Sequence, residues 1–124
     1  MEKECKYVSS RGIAQCCDIY PKQIMSDTRF FNVSDYNNIK DGDKVYVITS
    51  VLKLFTTTIL PKLEENNISI KLITGACVKG VPSEISSLHK IDYVKRFFTE
   101  SSSIQYWFTQ NYDLHDNHER IIPI

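Results

Sequence analysis

The chain lacks every short motif that would announce a chemistry by itself. It has no G-x-G-x-x-G and no G-K-[ST] step, so neither a dinucleotide fingerprint nor a phosphate-cradling loop is written in it. No C-x-x-C spacing occurs among Cys5, Cys16, Cys17 and Cys77, and adjacent Cys16 and Cys17 cannot comfortably share one tetrahedral zinc. No apolar run approaches the roughly 20 residues a membrane helix needs. The amino terminus, Met1-Glu2-Lys3-Glu4-Cys5-Lys6, is charged and lacks the apolar core of a secretory signal. An excess of charge is missing too: 15 Lys and Arg balance 15 Asp and Glu, so no overall field draws the chain to nucleic acid or to an anionic membrane. These absences predict no nucleic-acid or membrane partner, no cofactor, no bound metal, and a cytoplasmic chain with reduced thiols.

What is present is an α/β pattern. With 124 residues, 42% hydrophobic and 24% charged, the chain fits one soluble domain with a single core. Lys44 to Thr49 is short and β-branched, and Ile68 to Gly75 is a second such run. Between them Leu52, Phe55, Ile59, Leu60 and Leu63 share one face of a helix. Ser50 is a natural N-cap for it. Thr56-Thr57-Thr58 and Pro61 oppose a straight helix and predict a kink near Pro61. Two apolar strands joined by an amphipathic crossover predict a parallel sheet.

Upstream, Lys6 to Ser9 reads as a short extended piece, Ser10-Arg11-Gly12 as a turn, and Ile13 to Ile19 as one or two helical turns. Residues 23–43 read mostly as loop, with Phe30, Phe31, Val33 and Tyr36 packing it onto the domain. Downstream, helices are expected from Ser83, as cap, to about Lys90 and then on to about Phe98. Strands follow at Ile104 to Thr109 and at Ile121 to Ile124. The alternation predicts an α/β fold, a three-layer Rossmann-like sandwich with a mainly parallel sheet. The apolar close on Ile121-Ile122-Pro123-Ile124 predicts that the chain, a single α/β domain over 1–124, was cut inside a larger protein or is a naturally shortened copy. Docking of these residues on the domain's own core is the alternative.

Ligands of parallel sheets gather beyond the carboxyl ends of the strands. This selects Ser50, Thr74 with Gly75, and Gln110 with Asn111 as candidate substrate-binding residues. Gly75 would let a ligand approach the backbone or would serve a plain turn. Gln110 and Asn111 would read hydroxyl groups or bridge loops. Arg11, beside Gly12, would meet a phosphate or carboxylate with its planar fork, or anchor a loop. His115 and His118 lack a third metal ligand.

Several segments occur together in an order that resembles a known group. They are Tyr7-Val8-Ser9-Ser10-Arg11-Gly12-Ile13 with Cys17-Asp18-Ile19, Leu72-Ile73-Thr74-Gly75, Trp107-Phe108-Thr109-Gln110-Asn111, and His118-Glu119-Arg120-Ile121-Ile122-Pro123-Ile124. The set is similar to the amino-terminal part of exostosin-like and giant-virus glycosyltransferase-like proteins. The resemblance implies that 1–124 is the amino-terminal half of a two-domain protein, an acceptor-side domain inactive without a donor-binding domain, with a sugar or glycan acceptor as its partner. It also implies His118 as the acid/base or hydroxyl-binding residue, to which histidine's near-neutral titration is suited. Ala76 departs from the family's polar or acidic residue at that loop position. The competing expectation is a non-catalytic α/β binding or self-assembly module that uses exposed apolar surface. A receiver-like domain would need a carboxylate at a strand end, and Thr49-Ser50 and Thr74-Gly75 supply none.

Overall fold

Residues 44–48 show no in–out alternation because both faces of the strand they form are covered. Val45, Tyr46, Val47 and Ile48 are all buried, the pattern of a strand inside a parallel sheet. The computed structural model describes residues 10–21, 31–77 and 79–124. In chain order these form α1 (Ser10–Gln15), β1 (Lys44–Ile48), α2 (Leu52–Thr58), α3 (Leu60–Glu65), β2 (Ile70–Gly75), α4 (Ser83–His89), α5 (Tyr93–Phe98), β3 (Ile104–Thr109) and β4 (Ile121–Pro123). The four strands make one sheet in the order β1-β2-β3-β4, and every pairing is parallel. The expected α/β, Rossmann-like architecture is therefore what the chain adopts.

Register divides the sheet into two faces. Val45, Leu72, Trp107 and Ile121 pair in one row, and Tyr46, Ile73, Phe108 and Ile122 pair in the next, on the opposite face. Helix α5 packs on the first face: Tyr93 and Phe97 meet Trp107 edge-on, with centroids 6.1 and 5.0 Å away. On the second face burial fades across the sheet. Tyr46 and Ile73 are inaccessible, Phe108 and Ile122 are half-buried, and Tyr106 is 41% exposed. The monotonic strand order supplies a reason. Crossovers between parallel strands are right-handed, so successive links stack on one side and leave the other side only half-covered over β3 and β4.

The crossover from β1 to β2 bends where expected, and more sharply than a kink. It is two helices broken at Ile59, with Pro61 in the first turn of α3. Proline carries no N–H for the carbonyl four residues earlier. The hydroxyls of Thr56, Thr57 and Thr58 each donate to the carbonyl four residues back, a local bond that often bends a helix. Ser50 does not cap this crossover. It lies in a 3-10 turn, Thr49–Val51, and the α2 N-cap is Val51, whose side chain makes no capping bond. Ser83 is likewise inside α4 rather than its cap, and Asp113 does that work from a distant loop. Its carboxylate accepts from the Ser83 and Glu84 amides at 2.8 and 2.9 Å.

Other segments depart from expectation. Ser10, Arg11 and Gly12 open α1 instead of forming a turn, and Ile19 beyond it pairs with Val45 as a single parallel bridge. Lys6 to Ser9 and Phe30 lie outside the described residues. In the segment before β1, Tyr36 is buried and its hydroxyl donates to the Tyr46 carbonyl at 3.0 Å. Phe31 stacks on Tyr36, and Val33 is exposed. Cys17 turns inward to the Ile13 carbonyl, where burial pushes its thiol up to about 12. No described helix is long and apolar enough to cross a membrane.

Three side chains inside the core satisfy one another in a chain. The Trp107 indole donates to the Thr74 hydroxyl at 2.9 Å, Thr74 bonds Thr109 at 2.7 Å, and Thr109 donates to the Gln110 carbonyl at 2.9 Å. Thr74→Val should cost about 1–3 kcal/mol in urea unfolding, because it strands a buried indole N–H. Near the joint of α4 and α5, His89 Nδ1 lies 2.6 Å from the Tyr93 hydroxyl. Burial, then the positive charge of Lys53, holds His89 below its ordinary value of 6.5. The fold thus favours the neutral ring. Its contribution is complete above 6.5 and declines as pH falls through that value toward the lower folded one. Melting temperature should drop on acidification through this window more steeply in the native chain than in His89→Gln.

Candidate functional site

The register brings the carboxyl ends of three strands level. Ile48 faces Gly75 and Thr74 faces Thr109, so Ser50, Thr74, Gly75, Gln110 and Asn111 do collect at one edge of the sheet. What they form there is a set of protein–protein contacts. The Gln110 amide oxygen accepts from the Ala76 N–H at 3.2 Å, and the Gln110 N–H donates to the Thr74 carbonyl at 3.1 Å. The Asn111 side chain donates to the Cys77 carbonyl. The Thr49 hydroxyl donates to the Gly75 carbonyl at 3.3 Å. Ala76 and Asn111 both take left-handed backbone angles, φ 61° and 58°, which turn the two loops toward each other. Loop bridging is the role the geometry gives to Gln110 and Asn111.

Gly75 is explained by the same packing. A Cβ there would collide with the Gln110 amide oxygen and stand 3.0 Å from the Tyr46 hydroxyl. The close approach that glycine permits is filled by the protein's own side chains. Gly80 repeats the theme, since a Cβ would strike the Asp113 carboxylate that caps α4. Thr74 is inaccessible and committed to Trp107 and Thr109, so it cannot meet a ligand without breaking the core chain. The strand order also contains no reversal, and a reversal is what opens the ligand crevice of doubly wound sheets.

His118 stands elsewhere. It precedes β4 and stacks on Phe98 at the end of α5, with ring centroids 5.2 Å apart, toward the edge where β3 begins. Its Nδ1 accepts from the Arg120 N–H at 3.0 Å. Arg120 places its guanidinium over Phe98 at 4.6 Å and donates to the Ile104 and Gln105 carbonyls. The histidine therefore belongs to a clamp that fastens the β4 turn to β3, apart from the strand ends. Arg11 and Gly12 lie in α1, and their side chains are outside those described. Among the described residues no group of three or more His, Cys, Asp or Glu could hold a metal ion.

Among the described residues the groups with a shifted pKa are Cys17, Tyr36, Glu64, His89, Tyr93 and Arg96. Burial accounts for the two tyrosines, which are pushed up. Glu64 is held down by its two-point bond to Arg96, at 2.8 and 2.9 Å, and the same contact raises Arg96. This is an ion pair between helix α3 and helix α5, a structural clamp rather than a poised acid. Sequence reasoning missed Asp113 and Tyr46, which touch the two loop glycines. Neither carries a motif, because their roles come from long-range packing.

Gly75→Ala should destabilise the chain by about 1–3 kcal/mol through overpacking. Adding Gln110→Ala should recover part of that loss in a double-mutant cycle read by chemical denaturation, since the two positions touch. Compared with family models, with curated proteins and with solved structures, the chain shows no match.

Proposed function

We propose that the chain is a non-catalytic α/β module that associates with a second copy of itself through the open side of its sheet. The observation that carries this reading is the row where burial fails. Tyr106 is 41% exposed and lies beside half-buried Phe108, with ring centroids 6.3 Å apart, and Ile122 pairs with Phe108 on the same face. Aromatic surface of this kind is typical of association sites. Balanced charge removes long-range repulsion between copies. Strand-to-strand addition at β4 is discouraged, because Pro123 offers no donor and His118 folds back to bridge Ile121. Association by the face avoids the blocked β4 edge.

A second reading takes up the resemblance to exostosin-like and giant-virus glycosyltransferase-like proteins, with this chain as an acceptor-side domain that is inactive alone. It is favoured by β4 lying at the sheet's edge and by exposed Asn111 beyond β3. In that reading the partners are a glycan acceptor and a donor-binding domain. In that reading the chain works in the cytoplasm of a virus-infected or an ordinary cell.

Sedimentation velocity over a concentration series should show a reversible dimer. Tyr106→Glu should abolish it while leaving the melting temperature nearly unchanged. A native chain that stays monomeric throughout sinks the first reading. Saturable binding of short oligosaccharides, with resonance shifts confined to Asn111 and its loop, would establish the second in its place.

A further inference from the structure

The turn that leads into β4 is held by a side chain that can change its charge. His118 Nδ1 accepts from the Arg120 N–H at 3.0 Å, two residues on. This is the arrangement of an Asx turn, with a ring nitrogen where asparagine would place its side-chain oxygen. A neutral imidazole can offer that nitrogen as an acceptor, whereas the imidazolium carries a proton on both nitrogens and can only donate. The contact therefore exists only while Nδ1 is unprotonated. The ring also lies 5.2 Å from Phe98, centroid to centroid, and the Arg120 guanidinium stands 4.6 Å from the centre of the same phenyl ring. A proton on His118 would set a second cation against a ring that already carries one.

The anchor matters because β4 is short. The strand has three residues, Ile121–Pro123, at the edge of the sheet. Its neighbours tie it to β3: the Trp107 N–H donates to the Arg120 carbonyl at 2.8 Å, and the Ile124 N–H donates to the Thr109 carbonyl at 3.0 Å. The Arg120 guanidinium adds bonds to the Ile104 and Gln105 carbonyls, so this one residue joins β3 by main chain and side chain, and His118 holds its N–H. Arg120 is also the charged group in direct contact with His118. On α5, Arg96 is bound to Glu64 and Lys95 lies 3.9 Å from Glu100, β3 has no charged residue, and His115, Asp116 and Glu119 of the turn are exposed. We propose that His118 is a proton-operated latch on β4: acidification breaks its bond to the Arg120 amide and frees the last strand from β3 while the rest of the sheet stays folded. Edge elements with few bonds open at the lowest cost. Ile122 of β4 pairs with Phe108 on the half-covered face, so release would also remove part of that surface. This consequence rests on the proposed self-association, whereas the latch acts within one chain.

Hydrogen exchange of the isotope-labelled full chain, kept dilute enough to stay monomeric and expressed as protection factors, reads the latch apart from association. Between about pH 8 and about pH 5, where histidine changes charge, protection of the Trp107 and Ile124 amides should fall about two- to tenfold, the span of one lost hydrogen bond. Amides between β1 and β2 should keep theirs. The midpoint should coincide with titration of the His118 ring, followed through its carbon-bound protons. His118→Asn keeps an acceptor at the same place without a titrating group, and it should hold protection level across the whole range. The ring titration needs no variant, so the test stands even where the variant fails to fold. Protection that stays constant in the native chain, falls equally between β1 and β2, departs from the His118 titration, or falls as steeply in His118→Asn would overturn the proposal.

Discussion

Strand β2 is the constraint on which the molecule depends. It pairs in parallel on both sides, in register with β1 from Lys71 to Gly75 and with β3 from Lys71 to Thr74 after one irregularity beyond Ile70. Its apolar residues face both sides and are buried on both. A slip of one residue would carry Leu72 and Thr74 to the opposite face, away from Trp107 and Thr109. The Trp107–Thr74–Thr109 chain makes that slip costly, because three buried polar groups would lose their partners together. Packing and polar satisfaction thus specify the same register.

That register also decides what the strand ends can do. Bringing Gly75 level with the residues after β3 puts the Gln110 amide directly over the glycine, and the groups best placed to meet a ligand meet each other. Asp113 meanwhile holds α4 by its first-turn amides, and Glu84 returns a bond to the Gly80 N–H at 2.7 Å. The polar residues at this edge are spent on joining loops. A site for group transfer needs donors and a base aimed at an open space, and His118, the residue suited to proton transfer, is engaged with Phe98 and Arg120 toward the other edge.

Surface available for recognition lies instead where the topology runs out of covering material. Adding each strand outside the last buries one face well, while the second face is buried at β1 and β2 and only half-covered at β3 and β4. The helix break at Ile59 leaves only a shallow opening beside Tyr36 and Leu63. Both features follow from how segments are joined, and neither carries a motif.

The sequence by itself determined the elements and their class. The β-branched runs at Val45–Ile48 and Ile70–Ile73, the aromatic run at Ile104–Thr109 and the helical spacing between them express local preferences and burial periods, which act over a few residues. Pro61 and the threonine run before it marked the helix break for the same local reason. Strand order, the fate of Gly75 and Gln110, the separation of His118 from the strand ends and the half-covered face at Tyr106 were decided only by tertiary structure. Each depends on contacts between residues distant in the chain, such as Trp107 with Ile121, Phe98 with His118 and Gly75 with Gln110, or on what fails to cover a surface. Nothing in a residue's own chemistry states which distant neighbour will reach it first.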